Sequence, residues 1–242
     1  MIYGLLFDDK GNKTLEFRNE QSEKYQRRQS PPFRTSYNVI GRDLVRQSKS
    51  TTYRVVSDIA MHTSVMGVNR KIYEETSYML YSTHSFSFDR DIEAIAPFFG
   101  DLRVETRPFV HEISLLKQGF VYSRDYDRCE WKEVCNFLKD NMQLSSLKLV
   151  VEGGRPSRGW DGFPLFSAGD FRTMSKLRHE PLEWVWELLA IEGIRNLEIG
   201  SEIHHCPPTH SNGMQFFAAF SASIEDGFTD FLRAELVRVR SE

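Results

Sequence analysis

One apolar pattern occurs three times along this chain, and it limits the available folds more than any other feature. Val110, Ile113 and Leu115 are repeated 34 positions later as Leu144, Leu147 and Leu149, and a further 50 positions on as Ile194, Leu197 and Ile199. Each triplet has the length of a strand, and each follows a stretch with helical spacing. Trp131, Val134, Cys135, Leu138 and Met142 make one stripe ahead of the second triplet, with Asp127 and Glu130 resembling a capping box. Val185, Leu188 and Leu189 precede the third, with Pro181 in a first turn and Gly193 as a C-terminal cap. Helices alternating with strands predict an α/β protein whose parallel sheet is joined by right-handed crossovers. Self-similarity narrows this to a short, irregular leucine-rich-repeat-like array of helix–strand units, with an ordinary open α/β sheet as the alternative.

The flanking elements fit this scheme. Val65, Val68, Ile72, Thr76 and Met79 fall on one helical face, predicting a helix over 59–81. Ser85-Phe86-Ser87-Phe88 alternates as a half-buried strand does, and Ile92, Ile95, Ala96 and Phe99 make a helix that Pro97 shortens. Glu152 to Pro164 reads as a loop rich in glycine and proline. Met214, Phe217, Phe220 and Ile224, then Phe228, Phe231, Leu232 and Leu236, predict a C-terminal amphipathic helix, broken at Gly227, that caps the array.

Residues 8–57 are different in kind. From Arg18 to Arg54 there are nine basic and three acidic residues, although the whole chain carries a net charge of −3. Like charges with few apolar residues predict a flexible basic insertion, with one short strand near Leu15–Phe17. The apolar residues 1–7 then stand apart, and 58–242 forms a single domain. Ser30, between Arg27-Arg28 and Pro31, is a candidate phosphorylation site. Three cysteines without a framework spacing predict a reduced, intracellular setting. No apolar run reaches the roughly 18 residues of a spanning helix, and the start lacks the layout of a signal peptide, so no membrane partner is expected.

No catalytic constellation, cofactor motif or complete metal-ligand set stands out. His204-His205-Cys206-Pro207-Pro208-Thr209-His210 holds zinc-type ligands, but a closed site needs four and the other cysteines lack a partner at ligand spacing. Gly153-Gly154 follows a strand, but Arg155-Pro156 prevents a helix from opening there, which argues against a phosphate cradle. Asp125, Asp127 and Glu130 read as capping residues, and Cys135 as a small buried hydrophobe. A net negative charge argues against nucleic acid as a partner; the alternative is binding through the basic segment, where Tyr25, Phe33, Tyr37 and Tyr53 are interleaved. Trp184 and Trp186 are two apart and cannot share a helix face, so one is expected at the surface. With Trp160 they are candidate protein-interaction residues.

Two stretches resemble an uncharacterised fungal family of F-box-like domains of unknown function. Val68-Asn69-Arg70-Lys71-Ile72-Tyr73-Glu74-Glu75-Thr76, then Met79-Leu80-Tyr81-Ser82-Thr83-His84-Ser85-Phe86, resemble its segment ending Leu-Leu-Tyr-Ser-x-x-x-Phe. Ile2-Tyr3-Gly4-Leu5-Leu6 resembles the second half of its Leu-Pro-x-Glu-Ile-Arg-x-x-Ile-Tyr helix; the first half is not found before Met1. The resemblance implies an F-box-like helical remnant over 1–7, with Ile2, Tyr3, Leu5 and Leu6 as interaction residues for an adaptor of the Skp1 type. It brings no catalytic residues. The function expected from the sequence is thus a non-enzymatic protein–protein interaction module, with a ubiquitin-ligase substrate adaptor as the alternative.

Overall fold

A computed structural model describes residues 14–19, 37–40, 48–51, 53–55, 63–119, 125–157 and 159–237. The strands are β1 (Thr14–Asn19), β2 (Tyr37–Ile40), β3 (Ser48–Thr51), β4 (Tyr53–Val55), β5 (Ser85–Asp89), β6 (Glu112–Lys117), β7 (Ser146–Arg155) and β8 (Asn196–His205). The helices are α1 (Arg70–Thr83), α2 (Ile95–Asp101), α3 (Asp125–Asn141), α4 (Ala168–Lys176), α5 (Glu183–Leu189), α6 (Asn212–Ala222) and α7 (Thr229–Leu236). The main sheet runs β4-β1-β5-β6-β7-β8, and β2 and β3 pair separately. β1, β5, β6, β7 and β8 are all parallel, while β4 is antiparallel to β1.

The three recurring triplets lie side by side. Ile113 pairs with Leu147 and Leu147 with Leu197, while Leu115 pairs with Leu149 and Leu149 with Ile199. Their starts are fastened in the same way each time. The His111 carbonyl accepts from the Ser145 and Ser146 amides, and the Ser145 carbonyl accepts from the Arg195 and Asn196 amides. Sequence offset and hydrogen-bond register therefore agree.

The parallel strands follow one another in chain order, never reversing. With right-handed crossovers such a sheet receives all its connecting helices on one face. Burial follows suit. Phe86, Phe88, Ile113, Leu115, Leu147, Leu149 and Val151 are buried, whereas their alternate neighbours Ser85, Ser87, Ser114, Lys148 and Glu152 reach solvent. An all-parallel sheet is ordinarily covered on both faces; here, among the described residues, one face is largely left to solvent, with Leu116 as its buried exception.

Aromatic rings fill the two ends of the covered side. Phe17, Tyr53, Phe86, Phe88 and Phe98 pack together beneath β1 and β5, with centroids 4.1 Å apart for Phe17 and Phe98. Phe171, Phe220, Phe228 and Phe231 make a second group under β7 and β8, reached through Trp131 and Trp184. The stripe of Trp131, Val134, Cys135, Leu138 and Met142 is buried throughout, as its spacing predicts.

Several expectations need correction. β1 is a full member of the sheet and buries Leu15 and Phe17, and β4 adds Tyr53 to the core; both precede the expected domain start at 58. Residues 1–13 and the rest of 8–57, apart from the β2–β3 pair, lie outside the described residues. α1 starts at Arg70, because the Asn69 side chain accepts from the Ile72 amide and Thr63–Gly67 forms a separate 3-10 turn. Its covered side carries Thr76, Ser77 and Leu80, leaving Val68 exposed. Asp127 lies inside α3 rather than ahead of it. Gly193 has a left-handed φ of 90°, but it sits in the segment between α5 and β8 instead of capping the helix. β7 runs on to Arg155, so the loop is shorter than 152–164. The C-terminal helix is broken by a π-helical turn, Ile224–Phe228, whose Gly227 leaves no space for a Cβ beside the Phe166 carbonyl.

The Tyr53 hydroxyl donates to Asp101 Oδ2 at 2.9 Å. Burial, then the Asp101 carboxylate, pushes this phenol well above its ordinary value of 10.0, and burial does the same for Tyr81. The fold thus holds the protonated phenols. Their contribution to stability is complete below the ordinary value and is lost as pH rises from there toward the folded values. Urea midpoints are expected to fall at about pH 11 relative to neutral. Tyr53→Phe should cost about 1–2 kcal/mol at neutral pH and show a shallower alkaline loss than the wild type.

Candidate functional site

On the open face the alternate residues of five strands line up in rows. One row crosses the sheet as Glu16, Ser87, Ser114, Lys148 and Glu198. Lys148 Nζ donates to Glu198 Oε1 at 2.5 Å across the β7–β8 register. A second row carries Thr14 beside Ser85, with hydroxyls 3.0 Å apart, and Asn196, whose amide donates to Ser146 Oγ at 3.3 Å. Toward the carboxyl ends comes an apolar step of Leu116, Val150 and Gly200. A Cβ at Gly200 would meet only Val150 Cγ2, at 3.9 Å, so β8 leaves a gap in the face there.

Beyond that gap Glu152 and Glu202 lie opposite each other in register. Arg90, following β5, reaches both, with Nη2 2.5 Å from Glu202 Oε1 and Nη1 3.9 Å from Glu152 Oε1. The Gly119 amide donates to Glu152 Oε2 at 2.9 Å. His204 Nε2 stands 2.9 Å from Glu202 Oε1, a contact that requires the proton on Nε2. That nitrogen then has no lone pair for Arg90, 3.1 Å away. Partly exposed ion pairs of this kind contribute only about 0–1 kcal/mol each, so the network fixes side-chain positions rather than holding the sheet together. Its two carboxylates share the Arg90 guanidinium and lie beside the His204 imidazole.

At the carboxyl ends of β5 and β6 lies a cavity of about 160 Å³, bordered by Arg90, Glu93, Lys117, Glu130 and Trp131. Lys117 is buried, with Nζ 5.4 Å and 5.6 Å from the Trp131 and Trp184 ring centroids and donating to the Gln118 carbonyl at 3.0 Å. The cavity is smaller than the ~300–1,000 Å³ usual for small-molecule sites.

No protein-family model, curated protein or solved structure matches this chain. The site therefore stands on its own geometry.

The residues singled out from sequence are scattered. Trp184 is buried, edge-on to Trp131 at 5.7 Å, and its carbonyl accepts from Trp131 Nε1, so it serves the core and is not a surface contact. Trp186 is half-buried and donates to Ser175 Oγ at 3.2 Å. Trp160 is half-buried in the turn after β7. Ile2, Tyr3, Leu5, Leu6 and Ser30 lie outside the described residues. Tyr53, offered as a base-stacking ring, is in the core.

The histidine–cysteine cluster diverges. His204 joins Glu202, His205 Nε2 stands 3.4 Å from Ser157 Oγ, and Cys206 is buried. Among the described residues no group of three or more potential ligands could hold a metal. Gly153 and Gly154 lie within β7, where helix α6 approaches. A Cβ at Gly153 would come within 2.6 Å of Ile203 Cδ1, and one at Gly154 within 2.6 Å of Cys206 Cβ. Close packing, not phosphate binding, accounts for the pair.

Arg90, Lys148, Glu152, Glu198 and Glu202 were not singled out from sequence. A signal existed: Lys148 and Glu152 recur 50 positions later as Glu198 and Glu202, on the polar phase of the same repeat.

Proposed function

We propose that this protein is a non-enzymatic, intracellular protein-interaction module: a short leucine-rich-repeat-like array whose open sheet face receives a protein partner. The supporting observation is the one-sided sheet, with successive parallel strands offering in-register polar rows while the helix-facing triplets Ile113/Leu115, Leu147/Leu149 and Leu197/Ile199 are apolar. Stacked helix–strand units characteristically bind through such extended faces. Among the described residues no helix is long and apolar enough to cross a membrane. The substrate-adaptor version adds a Skp1-type adaptor through Ile2–Leu6 and rests on the sequence resemblance alone. Nucleic-acid binding through the basic segment is weakened by the burial of Tyr53.

The test is affinity capture with the full chain, Ser87→Arg/Ser114→Arg on the open face, and Lys132→Glu on the helical side. Loss of the same partners from the first variant only is the expected result. Capture unaffected by the open-face substitutions would refute the proposal. Recovery of a Skp1-type adaptor separates the ligase version from a simple scaffold.

A further inference from the structure

Resting on the open-face reading above, we infer that the partner presents an extended segment bearing Lys or Arg side chains, one of which seats over Gly200. The face carries a matching charge. Its permanent cations are already shared among its carboxylates: Arg18 lies 3.4 Å from Glu16 and 3.6 Å from Asp89, Lys148 serves Glu198, and Arg90 serves Glu202 and Glu152. Glu112 adds a further exposed carboxylate. With Arg54, in register with Arg18, four cations against six carboxylates leave the described face negative, complementary to a cationic chain.

The shape of the face fits the same ligand. Gly200 sits between Glu198 and Glu202 on one side of β8, about 7 Å from each along the strand. The missing side chain leaves Val150 as an apolar floor, and the Lys148–Glu198 and Arg90–Glu202 pairs stand on either side. Glu198 is 64 % exposed and Glu202 36 %, so both carboxylates are within reach of a ligand. An aliphatic floor flanked by carboxylates matches a methylene stem with a cationic head. An extended segment repeats its side chains every second residue, as β8 does, so cations at alternate positions meet Glu198 and Glu202 in turn.

The probe is a fluorescent peptide alternating Lys and Thr, compared by anisotropy with its Glu/Thr counterpart on the full chain. The lysine peptide is expected to bind, more weakly as salt rises, and the glutamate peptide not to bind. A Cβ at Gly200 meets Val150 only at ordinary contact distance and valine suits a strand, so the thermal transition of Gly200→Val should match the wild type while affinity falls at least about tenfold. Glu198→Gln/Glu202→Gln should weaken binding similarly, and Glu133→Gln on α3 should not. Equal binding of both peptides, or unchanged affinity in the folded Gly200→Val and double-Gln variants, would overturn the inference. If partner capture still depends on Ser87 and Ser114 in that case, the open face remains the binding surface and only its preference for cations is lost.

Discussion

Leu147→Ala is expected to lower the free energy of unfolding by about 2–5 kcal/mol, read as a shift in urea midpoint. Leu147 is fully buried and paired in register with Ile113 on one side and Leu197 on the other. Truncating it opens a void between two strands that are themselves fixed by hydrogen bonds, so the surroundings have little freedom to close in. Lys148→Ala, the next residue on the opposite face, should change stability by no more than about 1 kcal/mol. A loss below about 1 kcal/mol for Leu147→Ala would mean that the strand phase is wrong.

That residue was legible in the sequence. Three strands with the same apolar spacing have to present the same phase to a shared core, and the offsets between them match the register of the sheet. The single-strand alternation at Phe86 and Phe88 was legible for the same reason. In each case a periodic signal was long enough to be unambiguous.

Phe17→Ala should be as damaging, at about 3–5 kcal/mol, and it lies on the one short strand that the sequence predicts within an otherwise polar, basic stretch. Phe17 is fully buried and stacks on Phe88 at 5.0 Å, with Phe98 4.1 Å away and Tyr53 completing the group. Its strand is short and its neighbours along the chain are charged, so composition points to a solvated insertion. Pairing decides otherwise. Thr14, Leu15 and Glu16 lie beside Ser85, Phe86 and Ser87, and this non-local contact overrides local polarity. The expected readout is an earlier, less cooperative urea transition in Phe17→Ala. A variant as stable as the wild type would place β1 outside the core.

The candidate site was less legible than the core. Ser114, Lys148, Glu152, Glu198 and Glu202 sit between apolar positions and, taken alone, read as ordinary solvent-facing residues. Only the register reveals that Lys148 faces Glu198 and that Glu152 faces Glu202. Arg90 illustrates the same limit: it contacts residues more than a hundred positions away, and no local pattern announces this. α4 was missed although Ser167 and Asp170 form a capping box, because the glycine- and proline-rich stretch before it masks the helix start.

The proposed binding surface requires a parallel sheet that is covered by helices on one side and, among the described residues, largely exposed on the other. Thiol alkylation of single cysteines placed along β6 and β7 in a Cys129→Ser background measures this directly in the native state, since Cys135 and Cys206 are buried and burial pushes the Cys135 thiol well above its ordinary value. Cysteine at Ser114, Ser146 and Lys148 is predicted to react rapidly, and at Ile113, Leu147 and Leu149 to be protected until the chain unfolds. Uniform reactivity along both strands, or protection of the serine and lysine positions instead, would contradict it.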